Sequence, residues 1–308
     1  MTNILEIREV SKHYGQKTVV DRVSMQIPAG CVFGLLGPNG AGKTSLIRMI
    51  TTITRPDSGE IFLLGERLNS HHPSIIGYLP EERGLYKKMK VGEQLIYLAQ
   101  LKGVEKKRAT DAAKQWLEKL DLGDRWAQPV ETLSKGLQQQ VQFVATVLHE
   151  PQLLILDEPF SGLDPVNTNK LKTEIAALHE SGVSIIFSTH RMEQVEEVCE
   201  YIALINAGKK VLDGPVEDIR QRYKQHHFCL QYRGQMPEAL AQKYEWVSDG
   251  KQKVVLAAQP GETANSLLPG ILATGVEILS FAEVLPDMNS IFIKVVNEST
   301  HTTYHPAN

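Results

Sequence analysis

The chain is short of cysteine, of excess charge and of long apolar runs, and each shortage removes a class of protein. Its three cysteines, Cys31, Cys199 and Cys229, lie far apart and form no C-x-x-C pair. That pattern suits a reducing compartment rather than a disulfide framework. Lysine and arginine number 33 against 36 aspartates and glutamates, a net charge of -3. Without a basic excess there is no footprint for nucleic acid, and without a polybasic block none for an anionic membrane. No apolar run approaches the roughly 18 to 20 residues that span a bilayer, so any service to a membrane would go through a partner. Met1-Thr2-Asn3 runs straight into strand-like Ile4-Leu5-Glu6-Ile7, and no signal peptide is expected. There is no internal repeat. What is present is ordinary for a chain that buries a full core: 308 residues, 42% hydrophobic and 22% charged, enough for one large domain and a small one.

The most informative stretch is Gly37-Pro38-Asn39-Gly40-Ala41-Gly42-Lys43-Thr44, which fits the phosphate-loop pattern of Gly, four residues, then Gly-Lys-Thr. The apolar run from Cys31 to Leu36 precedes it as a buried strand. Thr44-Ser45-Leu46-Ile47-Arg48-Met49-Ile50 follows with apolar residues at helical spacing. The glycines let successive N–H groups point inward at a triphosphate, and the positive end of the helix dipole adds to them. Lys43 is expected to reach the β- and γ-phosphates, and the Thr44 hydroxyl to take a magnesium site.

Strands are expected at Ile4 to Val10, Thr18 to Ile27, Glu60 to Leu64 and Ile75 to Leu79, with turns at Gly15 and at Pro56-Asp57-Ser58-Gly59. From Val91 to Leu122 the period is helical, and a further helix from the N-cap Ser134 to Leu148 completes an insertion over about 85–150. Strand and helix then alternate: Leu153 to Leu156, Asn167 to Glu180, Ser184 to Ser188, Met192 to Cys199, Tyr201 to Asn206. Such alternation implies a mostly parallel sheet covered by helices on both faces, within a first domain over 1–214.

The pattern then changes. Strand Phe228 to Tyr232, helix Glu238 to Lys243, strand Tyr244 to Val247, an Asp249-Gly250 turn, strand Lys253 to Ala257, helix Glu262 to Ala273 and strand Val276 to Phe281 follow in order. That is β-α-β-β-α-β, a ferredoxin-like split unit, giving an accessory domain over 215–297. A last apolar segment, Ile291 to Val296, leads to a polar tail over 298–308 that is expected to be disordered.

Leu153-Leu154-Ile155-Leu156-Asp157-Glu158 is an apolar strand ending in two acids. Alone, the pair would read as solvated acids capping a strand. Beside a phosphate loop, Asp157 can hold magnesium through water and Glu158 can polarise a water for attack on the γ-phosphate. In Leu133-Ser134-Lys135-Gly136-Leu137, Ser134, the Gly136 amide and the helix dipole make a second anion site, although an ordinary N-capped helix has the same look. Ser161-Gly162-Leu163-Asp164 is a turn, and Ser188-Thr189-His190 ends the next strand with an imidazole on the same sheet edge. The doublets His71-His72 and His226-His227 lack a second pair of ligands at metal spacing and read as loop histidines.

With these elements the chain resembles the nucleotide-binding subunit of ATP-binding cassette (ABC) transporters over about Ile4 to Asp213. The resemblance implies an α/β phosphate-loop NTPase core with a helical insertion, followed here by the small α+β C-terminal domain. It implies an ATPase that uses ATP and Mg2+. The family's aromatic loop, Walker A, Q-loop, signature, Walker B, D-loop and H-loop would be Tyr14, Gly37–Thr44, Glu81, Leu133–Leu137, Leu153–Glu158, Ser161–Asp164 and His190. Tyr14 would stack on adenine. Gly37, Pro38, Asn39, Gly40, Ala41, Gly42, Lys43, Thr44 and Ser45 would hold the phosphates, and Thr44, Asp157 and Glu81 the metal. Glu158, His190 and Lys43 would carry catalysis. Ser134, Lys135 and Gly136 would close over ATP held by a second subunit, so the active unit would be a homodimer or a paired ATPase subunit.

Two residues depart from the family pattern. Glu81 stands where the Q-loop has glutamine, and the signature, commonly LSGGQ, reads Leu133-Ser134-Lys135-Gly136-Leu137. With the C-terminal extension, these variants look like bacterial subunits of the sodium-extrusion and drug-export type. The implied partner is an integral membrane permease and no nucleic acid, with the chain cytoplasmic and peripheral on the inner face of the membrane. Soluble cassette ATPases that act on nucleic acid or the ribosome usually carry two cassettes, a long coiled-coil insertion or basic arms. This chain has one cassette and roughly 90 residues between Thr44 and Ser134. A regulatory module that had lost hydrolysis would not be expected to keep Lys43, Asp157, Glu158 and His190 together.

Overall fold

The longest apolar runs of the chain become its most buried strands. The computed structural model describes residues 2–82, 84–234, 246–248, 252–259 and 261–301, and the chain divides into two compact units, Met1–Pro215 with Ser299–Asn308, and Val216–Glu298.

In the first unit, β1 (Asn3–Tyr14) and β2 (Lys17–Pro28) form a hairpin that turns at Gly15, where φ is 61°. With β4 (Ser58–Leu63) and β5 (Glu66–Arg67) they make a four-stranded antiparallel sheet in the order β2-β1-β4-β5. The central sheet has six strands, β10-β9-β3-β8-β7-β6. Here β3 is Val32–Leu36, β6 Ile76–Leu79, β7 Leu153–Asp157, β8 Ser184–Thr189, β9 Tyr201–Asn206 and β10 Lys209–Pro215. All neighbours are parallel except β9 and β10. Every residue of β3, β7 and β8 is buried, which is what a continuous apolar run needs when helices cover both faces.

Helices α1 (Lys43–Ile50), α2 (Val91–Leu101), α3 (Lys106–Lys119), α4 (Lys135–Val147), α5 (Pro165–Glu180) and α6 (Met192–Val198) complete this unit. In α2 and α3 the buried stripe runs through Val91, Leu95 and Ala99 and through Ala109, Ala113 and Leu117, the fourfold spacing that keeps one face inward. Each fully buried leucine or valine of this kind contributes about 1.5–3 kcal/mol over its exposed state.

Two elements at the seam are absent from the sequence expectations. β10 begins with Lys209 and Lys210 and ends at Gly214-Pro215, so it carries little apolar signal and survives as an edge strand paired to β9. The helix α7 (Val216–Arg222) is short, but it has Glu217 and Asp218 in its first turn and Arg220 and Arg222 in its last, the arrangement that complements a helix dipole.

In the second unit, β11 (His227–Arg233), β12 (Trp246–Ser248), β13 (Lys253–Ala257) and β14 (Glu277–Val284) form an antiparallel sheet in the order β12-β13-β11-β14. Numbered within this unit the order is second, third, first, fourth, that of a split β-α-β arrangement. Phe228, Leu230, Tyr232, Val254 and Leu256 face Leu267 and Ile271 of α8 (Ala264–Leu272). Phe228 and Phe281 stack at 5.3 Å between ring centroids. The expected helix Glu238 to Lys243 and the Asp249-Gly250 turn lie outside the described residues.

The expected tail needs correction. The last helix, α9, spans Met288–His301, so Asn297 to His301 continue it. Met288, Ile291 and Val295 form its buried stripe, and the polar residues that looked like a tail are the far end of an amphipathic helix. Residues 302–308 lie outside the described part.

All strand pairing of the central sheet is complete by Pro215. A chain cut after Pro215 is therefore expected to be soluble and to bind ATP with an affinity close to that of the full chain, measured by calorimetry. Insoluble or nucleotide-blind material would mean that the two units share one core.

Candidate functional site

Parallel register brings the chemistry together. Leu36 pairs with Thr189, and Asp157 with Ser188, so the segments that leave β3, β7 and β8 emerge on one edge of the sheet. In open α/β sheets this carboxyl edge is where ligands bind.

The loop after β3 turns at close quarters. At Gly37 φ is 148°, and a Cβ there would stand 2.1 Å from the Ile205 carbonyl oxygen. At Gly42, which caps α1 with φ 109°, a Cβ would meet the Val19 carbonyl oxygen at 2.5 Å. Both positions need glycine for space as well as for conformation. Lys43 is buried, and its Nζ donates to the carbonyl oxygens of Gly37 at 2.6 Å and Pro38 at 3.2 Å. Burial lowers its pKa, while Asp157, Glu158 and Glu81 pull the other way.

Those three acids and the loop line one cavity of about 290 Å³, together with Val19, Asn39, Thr44 and Ser45. Asp157 is 3% exposed and its Oδ2 makes no hydrogen bond among the described residues. Burial raises its pKa; the nearby Ser188 hydroxyl and Lys43 oppose the rise, and Glu81 and Glu158 add to it. Glu158 takes a left-handed backbone, φ 50°, a strained choice for a side chain of this kind and one that recurs at functional sites. The turn aims its carboxylate at the end of β8. Its Oε1 accepts from the His190 amide at 2.8 Å and lies 2.6 Å from His190 Nδ1, and its Oε2 lies 3.2 Å from the Thr189 hydroxyl. Because a carboxylate accepts, the His190 proton is assigned to Nδ1.

Oxygen donors dominate the cavity: the Thr44 hydroxyl, Asp157 and Glu81. Together with the unpartnered Asp157 Oδ2 this set fits a hard cation such as Mg2+. Among the described residues no group of three or more His, Cys, Asp and Glu side chains could hold a metal by itself. Magnesium sites that use one or two carboxylates and complete their shell with substrate phosphates and water are of this kind.

Tyr14 and Ser134–Gly136 are not among the residues that line this cavity. Tyr14 sits at the tip of the β1–β2 hairpin, 46% exposed. Ser134 caps α4, accepting from the Leu137 amide at 3.3 Å, and is exposed together with Lys135. Gly136 lies against the next turn, where a Cβ would come within 3.2 Å of the Gly162 carbonyl oxygen. Asp164 ends that turn and caps α5, accepting from the Val166 and Asn167 amides at 3.0 Å each.

Sequence reasoning overlooked a set of buried glutamines on α4. Gln139 Nε2 donates to the Pro159 carbonyl at 3.2 Å, next to the two acids. Gln140 Nε2 donates to Asn167 Oδ1 at 3.0 Å. Gln142 Nε2 lies 3.3 Å from both the Pro80 and Glu82 carbonyls, bracketing Glu81. The signal was there: four glutamines within five residues on a helix whose neighbours, Val141 and Phe143, are fully buried.

Comparison with known proteins identifies relatives of the chain. A family model described as ABC transporter matches residues 20–161, and one described as ATP-binding protein DrrA1-3-like, C-terminal domain, matches 214–296. The chain is 50% identical over 220 residues to the uncharacterized ABC transporter ATP-binding protein YhaQ of Bacillus subtilis (strain 168), covering 71% of this chain and 74% of that one. It is 28% identical over 310 residues to the bacitracin transport ATP-binding protein BcrA of Bacillus licheniformis, covering 97% and 99%. A solved structure described as the ATP binding subunit of an ABC transporter superposes with a TM-score of 0.67 at 30% identity, over 71% of this chain and 93% of that one. The chain therefore belongs to the ATP-binding proteins of ABC transporters, a family of ATPases, and carries their α/β phosphate-loop fold.

Proposed function

We propose that this chain is the motor subunit of an exporter of the sodium-extrusion or drug-export type, driving a separate integral membrane permease as a homodimer or paired ATPase. The observation that carries the reading is one cavity lined by Lys43, Thr44, Glu81, Asp157 and Glu158, with His190 held against Glu158 at the same sheet edge. The DrrA-like match over 214–296 and the full-length likeness to a bacitracin transport ATP-binding protein favour export.

In this mechanism Lys43 leaves the Gly37 and Pro38 carbonyls and meets the β- and γ-phosphates of ATP. Thr44, Asp157 and Glu81 would hold Mg2+, which would neutralise charge on the phosphates. Glu158 accepts a proton from the attacking water as its oxygen bonds to the γ-phosphorus and the bond to the ADP oxygen breaks. His190, its Nδ1 proton shared with Glu158, keeps the carboxylate oriented and contacts the γ-phosphate. Ser134 to Gly136 of one subunit close over ATP held by the other, and hydrolysis separates the two.

Among the described residues no helix is long and apolar enough to cross a membrane. The permease is expected to meet the surface near Glu81 to Val91 through a helical segment. A cleft of about 680 Å³ there is lined by Ile53, Leu85, Leu98 and Leu101 with Lys102 and Glu82. Recovering the chain from membranes with its bound partner tests this. A permease is the expected companion, whereas a ribosomal or nucleic-acid companion would support the soluble alternative.

Glu158→Gln is expected to keep ATP binding, to slow hydrolysis by about 10²–10⁴-fold, and to accumulate as an ATP-bound dimer on size exclusion. A monomer with wild-type turnover would defeat both the base assignment and the paired arrangement.

Glu81 supplies a full charge where glutamine would offer a carbonyl oxygen. Its attraction for a divalent cation should strengthen magnesium binding, and its repulsion of phosphate should weaken metal-free nucleotide binding. Glu81→Gln is thus expected to weaken the magnesium dependence of ATP binding and to leave metal-free binding equal or tighter. Superimposable magnesium titrations would mean that Glu81 does not reach the metal.

A further inference from the structure

A cluster of charge lies beneath Tyr14 that the hydrolytic site does not use. Lys12 and Tyr14 are two residues apart on β1 and share one side of the strand. The register irregularity at this point puts the additional residue, Val19, on β2, so the alternation of β1 is undisturbed. Lys12 Nζ lies 5.7 Å from the centroid of the Tyr14 ring, within the range of a cation–π contact. The ammonium is also fixed from the other direction. It donates to Asp57 Oδ1 and to the Arg55 carbonyl oxygen, each at 2.8 Å, and the Lys12 side chain is 14% exposed.

Asp57 is itself held. Its Oδ2 accepts from the His13 amide at 2.6 Å and lies 3.2 Å from His13 Nδ1. Its own amide donates to the Ser11 carbonyl at 2.9 Å. The Lys12 hydrogen bond first, then that of the His13 amide, hold its carboxyl down at about 2. Residues 11 to 14 of β1 are thus bound to the turn Pro56 to Gly59 by a set of charge-assisted contacts, with one aromatic face at its edge.

The aromatic ring is half exposed, and a half-exposed ring that must receive a base loses rotamer freedom on binding. Ordering such a side chain on binding costs conformational entropy. A cation anchored over one face meets part of that cost in advance and leaves the opposite face open. We infer that Lys12, fixed by Asp57, is a positioning residue for Tyr14, closing one face of its ring so that the other receives the adenine of ATP. This rests on the reading of Tyr14 as the base-stacking residue. The competing account is that Lys12 and Asp57 merely staple the turn to β1, in which case base and phosphate affinity would change together or not at all.

The full chain titrated calorimetrically with ATP and with inorganic tripolyphosphate, at fixed magnesium, separates these. Lys12→Met keeps the aliphatic stem and removes the charge, and Asp57→Asn removes the anchor. Both are expected to weaken ATP binding about three- to tenfold while leaving tripolyphosphate binding unchanged. Lys12→Arg should restore ATP affinity to within about twofold, since a guanidinium also sits over aromatic faces. Tyr14→Ala reports on the underlying reading. If it leaves ATP affinity intact, base stacking by Tyr14 fails and the inference falls with it. If Tyr14→Ala weakens ATP while Lys12→Met and Asp57→Asn bind ATP normally, or lose ATP and tripolyphosphate in parallel, the positioning role alone is overturned.

Discussion

The parallel register of β3, β7 and β8 is the constraint on which the site depends. These strands are buried along their whole length, so a slip of one residue would turn every side chain to the opposite face of the sheet. Burial therefore sets where each strand ends, and the chain that leaves those ends has to share one edge. Gly37, Glu158 and His190 each follow directly on a strand. Their common edge follows from the apolar core that fixes the strands, and the loop conformations beyond it bring the Glu158 and His190 side chains into contact.

What the core cannot do is hold the loops, which lack strand partners for their backbone groups. Helix α4 meets that need with side-chain amides reaching Pro159, Asn167, Pro80 and Glu82. A hydrogen bond of this kind is worth about 0.5–1.5 kcal/mol net, modest as stability. Gln140 Oε1 and Gln142 Oε1 are buried without partners among the described residues, which offsets part of that gain. The return is specificity. One helix, which begins at Ser134, sets the Glu81 loop, the segment after the acids and the start of α5 relative to one another.

How far this was legible in the residues depended on the range of the signal. Strands such as Leu153–Asp157 and Tyr201–Asn206 announce themselves by continuous apolar runs between turn formers, and the phosphate loop by its glycines. β10 and α7 escaped because their information is in pairing and in terminal charge rather than in hydrophobic period. The polar end of α9 misled because composition without periodicity looks like a tail. At the site, the residue types were readable and their partners were not. Glu158 and His190 are 32 apart in sequence, and their contact depends on a positive φ at Glu158 that no local pattern announces. A single buried glutamine reads like an exposed one, and only the run of four within five residues on α4 hinted at burial.

The balance of charge sets a further condition on how such a site works. Lys43 is the cation among the described residues lining the cavity, against the carboxylates of Glu81, Asp157 and Glu158. Burial lowers the pKa of the first and raises that of Asp157, so desolvation acts against charge on both sides. Left alone, Lys43 satisfies its ammonium on backbone carbonyls, and Glu158 satisfies its carboxylate on His190 and Thr189. A bare triphosphate entering here would meet oriented amides but also a surplus of negative charge. On the proposed reading, the loop would supply selectivity for phosphate, and the acids would make affinity conditional on a cation that arrives with it. A site built this way would discriminate against free anions by charge, because three carboxylates face one ammonium across the cavity.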